Sequence, residues 1–171
     1  DELPKPMHVH DELLARLPVT LELALLAFLI ANLIAVPLGA LAAYYHQRRA
    51  DFSITFLATV MGAIPNFWLA TLLILLFALT LRWLPAGGYV PFSDDPLGWV
   101  KSLILPGFSL ALLQVGLLAR ITRATMLEVL QQDYIRTARA KGLPVALVIG
   151  KHALKNVLVP VITVIGISFG L

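Results

Sequence analysis

Cysteine is absent from this 171-residue sequence. Its absence excludes a disulfide framework, a thiolate metal site and a cysteine nucleophile. Charge is nearly as sparse: Asp, Glu, Lys and Arg make up 13% of the residues, where a soluble domain carries about a quarter. Hydrophobic residues make up 59% and mean hydropathy is +0.86, which leaves too little polar surface to cover a soluble globule of this length. A membrane protein is implied, with the lipid bilayer as its first expected partner.

Further absences narrow the function. Gly150-Lys151 has Val145 where a phosphate-binding loop needs glycine, and His152 where it needs the Ser or Thr that holds magnesium. The chain is therefore not expected to bind ATP by itself. No Ser/His/Asp arrangement has support, so no catalytic residue is expected. His8, His10, Asp11 and Glu12 read as a solvated segment beside a membrane rather than as metal ligands, and no metal or other cofactor is expected. Arg120, Arg123, Arg136 and Arg139 flank apolar helices, which accounts for them without nucleic acid. The sequence opens without methionine on DELPKPMHVHDELLARLP, which lacks a signal pattern, and stops at Leu171 inside an apolar run. The expectation is an internal fragment of a longer polytopic protein.

What is present is a series of apolar stretches at about 21–45, 52–81, 103–119 and, truncated, 153–171. At 1.5 Å per residue the first crosses a hydrocarbon core of roughly 30 Å. The second carries no charged residue, and the third is expected to continue as helix past the membrane through Arg120, Arg123 and Glu128. Arg48, Arg49, Arg120, Arg123, Arg136, Arg139, Lys141, Lys151 and Lys155 fall on one side of this arrangement, with only Lys5, Arg16, Arg82 and Lys101 on the other. The bias of Lys and Arg makes the first side cytoplasmic. The opposite loop, RWLPAGGYVPFSDDPLGWVK, sets Trp83, Tyr89 and Trp99 among glycines and prolines, as an interfacial aromatic belt does. The first crossing then runs from outside to inside.

Within the cytoplasmic side lies DYIRTARAKGLP, residues 133–144. Asp133 is a natural N-cap, Gly142 stands where a left-handed residue ends a helix, and Pro144 blocks continuation. Tyr134, Ile135 and Ala138 share one face of this short helix, while Arg136 and Arg139 share another. A basic helix lying on anionic lipid is one explanation. Against it, the apolar face is small, with Ala138 and Ala140 where lipid insertion favours Leu, Phe or Trp. Small residues suit close docking against protein.

At these residues the sequence resembles a known family. DYIRTARAKGLP followed by KHALKNVLVPVITVIG is similar to the cytoplasmic signature of binding-protein-dependent ABC transporter permeases, in the dipeptide, oligopeptide and nickel branch. RLPVTLELALLA, AIPNFWLATLLILLFALTLRWLPAGGYVP and DPLGWVKSLILP resemble the same branch in the same order, so the likeness covers nearly the whole chain. Ala138 and Gly142 match the family pattern. Arg136 stands where the generic pattern has glutamate, and Pro160 is farther from the glycine than the generic proline.

The resemblance implies an all-α polytopic transmembrane helical bundle of the MetI-like permease type, one domain over 1–171 with a cytoplasmic coupling segment at about 131–150. It implies an importer subunit in the bacterial or archaeal inner membrane that performs no bond chemistry. Its implied partners are a separate ATP-binding subunit, a second permease subunit, identical or homologous, and an external solute-binding protein. The docking residues it implies are Asp133, Tyr134, Arg136, Ala138, Arg139, Gly142 and Leu143. The competing class is an ion-driven secondary transporter or structural membrane subunit, expected to carry midplane carboxylates that the spans lack. Within the spans, Pro37, Pro65, Pro106 and Pro160 each interrupt an apolar run and are expected to free backbone carbonyls that neighbouring helices must satisfy, and Asn32, Asn66 and Gln114 are expected to point into the bundle. Helix–helix contacts alone can explain each. The functional alternative is that GAIPNFW, residues 62–68, bends a helix beside the translocation path, with Pro65, Asn66 and Gln114 lining it.

Overall fold

A computed structural model describes residues 9–144 and 147–169, and every regular element among them is helical. Helix α1 runs Val9–Tyr44, α2 Arg49–Ala63, α3 Asn66–Leu73, α4 Pro96–Leu130, α5 Asp133–Ala140 and α6 Leu154–Phe169. A π-helical stretch, Ile74–Thr80, extends α3, and another, Val148–Ala153, leads into α6. Residues Arg16–Tyr44 of α1 and all of α4 are long and apolar enough to cross a membrane. Helix α2 and the extended α3 meet that condition only when taken together as one broken span.

Of the four prolines within the spans, Pro65 alone stands at a break between helices. Ile64 before it is extended, with φ −77° and ψ 127°, the conformation that a following proline imposes. Pro37 sits inside α1, Pro106 inside α4 and Pro160 inside α6. A proline removes one helical hydrogen bond, and in a long membrane helix the turns on both sides and the packed neighbours carry the chain through that gap.

The pattern of burial inverts that of a soluble helix. Among the described side chains of α1 the buried positions are Ala27, Ala31, Ala35, Gly39, Ala42 and Ala43, stepping three or four residues along a single face. The opposite face presents Leu21, Leu25, Leu29 and Leu33, which is 78% exposed. In hydrocarbon, leucine gains little by leaving the solvent, so small residues take the interior, where they let helix backbones approach closely.

The chain divides into two compact units. The first comprises Asp1–Ile30 and Phe67–Ala111. In it the half-buried Glu22 accepts hydrogen bonds from the Tyr89 hydroxyl at 3.0 Å and the Trp99 indole at 2.9 Å. The loop residue and the start of α4 are thereby tied to α1. Gly107 lies against the Leu26 side chain.

The second unit comprises Ala31–Asn66 and Leu112–Leu171. Here α4 approaches α1 and α2 almost backbone to backbone. A Cβ on Gly39 would stand 2.6 Å from the Ala119 carbonyl oxygen and the Thr122 Cβ, and one on Gly116 would collide with the Ala58 carbonyl oxygen. The Thr122 side chain is fully buried, and its hydroxyl has no hydrogen-bond partner among the described residues.

Candidate functional site

Helix α5 follows α4 after a two-residue turn closed by Gln131 N–H to the Glu128 carbonyl at 3.2 Å and Gln132 N–H to the Val129 carbonyl at 3.1 Å. The first bonds of α5 run from Ile135 N–H and Arg136 N–H to the Gln132 carbonyl, at 3.0 and 3.2 Å. Gln132 is therefore the cap residue. Asp133, expected in that role, lies one residue inside, where its charge still favours the positive end of the helix. Its carboxylate is 3.6 Å from the Arg136 guanidinium, with both groups exposed, a spacing that contributes little.

The far end matches the glycine reading. Gly142 has φ +74°, and Leu143 N–H bonds the Ala138 carbonyl at 3.3 Å while Lys141 N–H bonds Thr137 at 3.1 Å. This left-handed closure occupies carbonyls that the helix end would otherwise leave open.

The faces of α5 separate sharply. Ile135 is fully buried and Ala138 is 8% exposed, both covered by this chain itself, with the π-helical stretch 148–153 packed alongside. Asn156 of α6 donates its amide to the Tyr134 hydroxyl at 2.6 Å. Asp133, Tyr134, Arg136, Thr137, Ala140, Lys141 and Gly142 are exposed, and Leu143 is half-buried. Ala138 is thus turned toward the chain's own interior, and the exposed residues lie on the other face. The side chain of Arg139, and Val145 and Ala146, lie outside the described residues.

Of the span residues, Pro65 and Asn66 stand at the break between α2 and α3, and Gln114 is half-buried on α4. Asn66 Oδ1 is buried with no hydrogen-bond partner among the described residues. No group of three His, Cys, Asp or Glu side chains able to hold a metal occurs among the described residues. The side chains of His8, His10, Asp11 and Glu12 lie outside them.

Sequence reasoning missed the densest polar cluster. Asp51 in the first turn of α2 receives Arg123 of α4 through both carboxylate oxygens, Nε to Oδ1 at 2.6 Å and Nη2 to Oδ2 at 2.7 Å. Gln47 N–H adds 3.0 Å to Oδ2 and Thr55 Oγ1 adds 3.3 Å to Oδ1. His46 Nδ1 lies 3.2 Å from Arg123 Nη2 and 3.3 Å from Asp51 Oδ2; it can accept from the first or donate to the second, not both at once. No local signal joins two residues 72 positions apart.

Comparison with known proteins gives the family. The model of the family described as "Binding-protein-dependent transport system inner membrane component" matches residues 35–171. A Brucella suis protein provisionally named a peptide transport system permease is 51% identical over 163 residues, 95% of this chain and 52% of the relative. The oligopeptide transport system permease protein AppB of Bacillus subtilis is 43% identical, over 93% of this chain and 51% of its own. OppB of Salmonella typhimurium, also named an oligopeptide transport system permease protein, is 42% identical over 96% and 52%. The chain spans about half the length of the curated relatives it matches. With four-fifths of its residues inside the family match, the chain belongs to the binding-protein-dependent transport system inner membrane components.

Proposed function

We propose that the chain is the membrane-spanning part of a permease subunit in an ATP-driven importer of peptides or a similar small solute. Helix α5 is its docking point for a separate ATP-hydrolysing subunit. The observation that carries this reading is the division of α5 into a buried Ile135–Ala138 face and an exposed face of Asp133, Arg136, Thr137 and Lys141. A helix held on one side by its own chain and open on the other can pass a push inward. The names of the relatives support peptides as the solute class. A second permease subunit completes the path, an external binding protein delivers the solute, and Pro65, Asn66 and Gln114 line the path. Transport proceeds by alternating access: nucleotide-driven closure of the ATPase shifts the bundle between inward-open and outward-open states.

The test uses the full-length protein with its ATPase and binding protein. Arg136→Glu combined with Lys141→Glu reverses two exposed charges and should weaken retention of the ATPase subunit about tenfold, with the membrane part still folded. Unchanged retention sinks the docking assignment. Ala138→Asp is the poorer probe, because it also places a charge against the chain's own interior. Cysteines introduced at Ser93 and Thr137 should label from opposite sides of the membrane. Import driven by a proton gradient, with no ATPase subunit present, would favour the ion-driven class.

A further inference from the structure

Asp51 is the one charged side chain buried among the described residues, and its surroundings are built for it. Its side chain is 7% exposed and that of Arg123 is 26% exposed. A carboxylate so far from water needs a cation and further donors to remain charged there. Arg123, Gln47 and Thr55 supply them. Gln47 reaches its oxygen from a left-handed backbone, φ +62°, a conformation that a non-glycine residue adopts at a cost. The turn between α1 and α2 is thus shaped around a contact to α4.

The position of that contact matters more than its strength. Arg123 lies seven residues before the end of α4 at Leu130, and α5 begins at Asp133. At the level of the pair and above it, Gly39 and Gly116 pack α4 directly onto the backbones of α1 and α2. Seven residues of helix span only about 10 Å, so a displacement entering at α5 reaches the ion pair within two turns of the end of α4, at the level where Thr122 packs against Gly39.

We propose that the Asp51–Arg123 pair is a latch that makes the α1–α2 turn move with the foot of α4, so that displacement of α5 by the ATPase reaches the first two helices of this chain. Both are positioning residues: neither touches solute or nucleotide. The proposal rests on the importer reading above. Without the latch, the foot of α4 yields to the push, and ATP is hydrolysed with less solute moved.

The experiment is solute imported per ATP hydrolysed, in vesicles holding the full-length permease, its ATPase and its binding protein. Asp51→Asn keeps the shape and removes the charge. It should lower the ratio about tenfold, the size of a typical coupling energy, while the ATPase subunit stays bound. Arg123→Lys keeps the charge and loses the two-pronged contact, and should lower the ratio less. The exchange Asp51→Arg with Arg123→Asp should restore part of what Asp51→Asn loses. Lys101→Ala, at an exposed position near the start of α4, should change nothing. If Asp51→Asn fails to assemble, Arg123→Lys and the exchange decide. A wild-type ratio in any charge-removing variant that assembles overturns the latch. Loss of assembly in every variant also overturns it, by making the pair a folding element alone. A wild-type protein that imports nothing when given ATP overturns the importer reading and the latch with it, whereas a working wild type with unaltered variants overturns the latch only.

Discussion

Two carboxylates, one in each unit, are held in opposite ways. Glu22 keeps contact with solvent and takes two neutral donors, the Tyr89 hydroxyl and the Trp99 indole. Asp51 is buried and takes a guanidinium through both oxygens, supported by a backbone amide and a hydroxyl. A half-exposed carboxylate can complete its solvation with water, so neutral partners suffice and each can be lost at modest cost. A buried one has no such recourse, and removing its cation leaves a charge with nowhere to go. The Glu22 contact tethers an irregular loop and the first turn of α4 to α1 through neutral donors; the Asp51 contact fixes two helices through an ion pair.

The comparison breaks first, and with the largest effect, at its charged member. Asp51→Ala should destabilise the protein by about 3 kcal/mol, at the low end for a broken buried pair because Arg123 retains some access to water. Glu22→Ala should cost about 1 kcal/mol. Thermal midpoints of the two purified variants in one detergent check the order, and equal losses would abolish the distinction.

The same asymmetry recurs where helices touch. Gly39 faces backbone and a fully buried threonine, neither of which can retreat. Gly39→Val should therefore cost about 1–3 kcal/mol by overpacking. A Cβ on Gly107 would meet the end of the Leu26 side chain at 2.9 Å, which can rotate away, so Gly107→Ala should cost under about 1 kcal/mol. A larger loss at Gly107 than at Gly39 would reverse the reading of which unit is the more tightly packed.

Legibility in the sequence followed the range of the interaction. Helices and membrane character were readable because apolar runs and charge bias are local and strong. The end of α5 was readable because glycine at a left-handed position leaves a mark in one residue: Gly142 has φ +74°. Its start was misread by one residue, since a carbonyl cap at Gln132 has no side-chain signature and Asp133 does. Which proline would break its helix was not readable, because proline's local cost is plain in sequence while the packing that carries α1 and α4 through Pro37 and Pro106 is not. The inward placement of Ala138 and its neighbour Ile135 depends on the stretch 148–157, and the Asp51–Arg123 pair depends on a fold that no spacing rule encodes.

A smaller effect is expected at Gly142. A Cβ there meets nothing within 4 Å, so Gly142→Val should cost about 1–2 kcal/mol from backbone strain alone. Gly142→Asn, which tolerates the left-handed region, should recover much of it. Loss of ATPase retention in the valine variant with recovery in the asparagine variant would tie the effect to helix closure rather than to bulk.

The smallest effect is expected at the tether. Partial burial and the neighbouring Glu22 carboxylate both push the Tyr89 hydroxyl up from its ordinary value, so it remains a donor at any working pH. Tyr89→Phe removes that one donor and leaves Glu22 with the Trp99 indole and with water. The net loss is small, because water can replace the lost donor, and it is borne by the loop rather than by the helices. Hydrogen exchange of the backbone between Arg82 and Asp95 should quicken, while the thermal midpoint of the whole protein stays close to wild type. A midpoint as low as that of Asp51→Ala would mean that the loop, held only by neutral donors, is as deeply built into the fold as the ion pair. The contrast between a replaceable tether and a fixed latch would then fail at its weaker end.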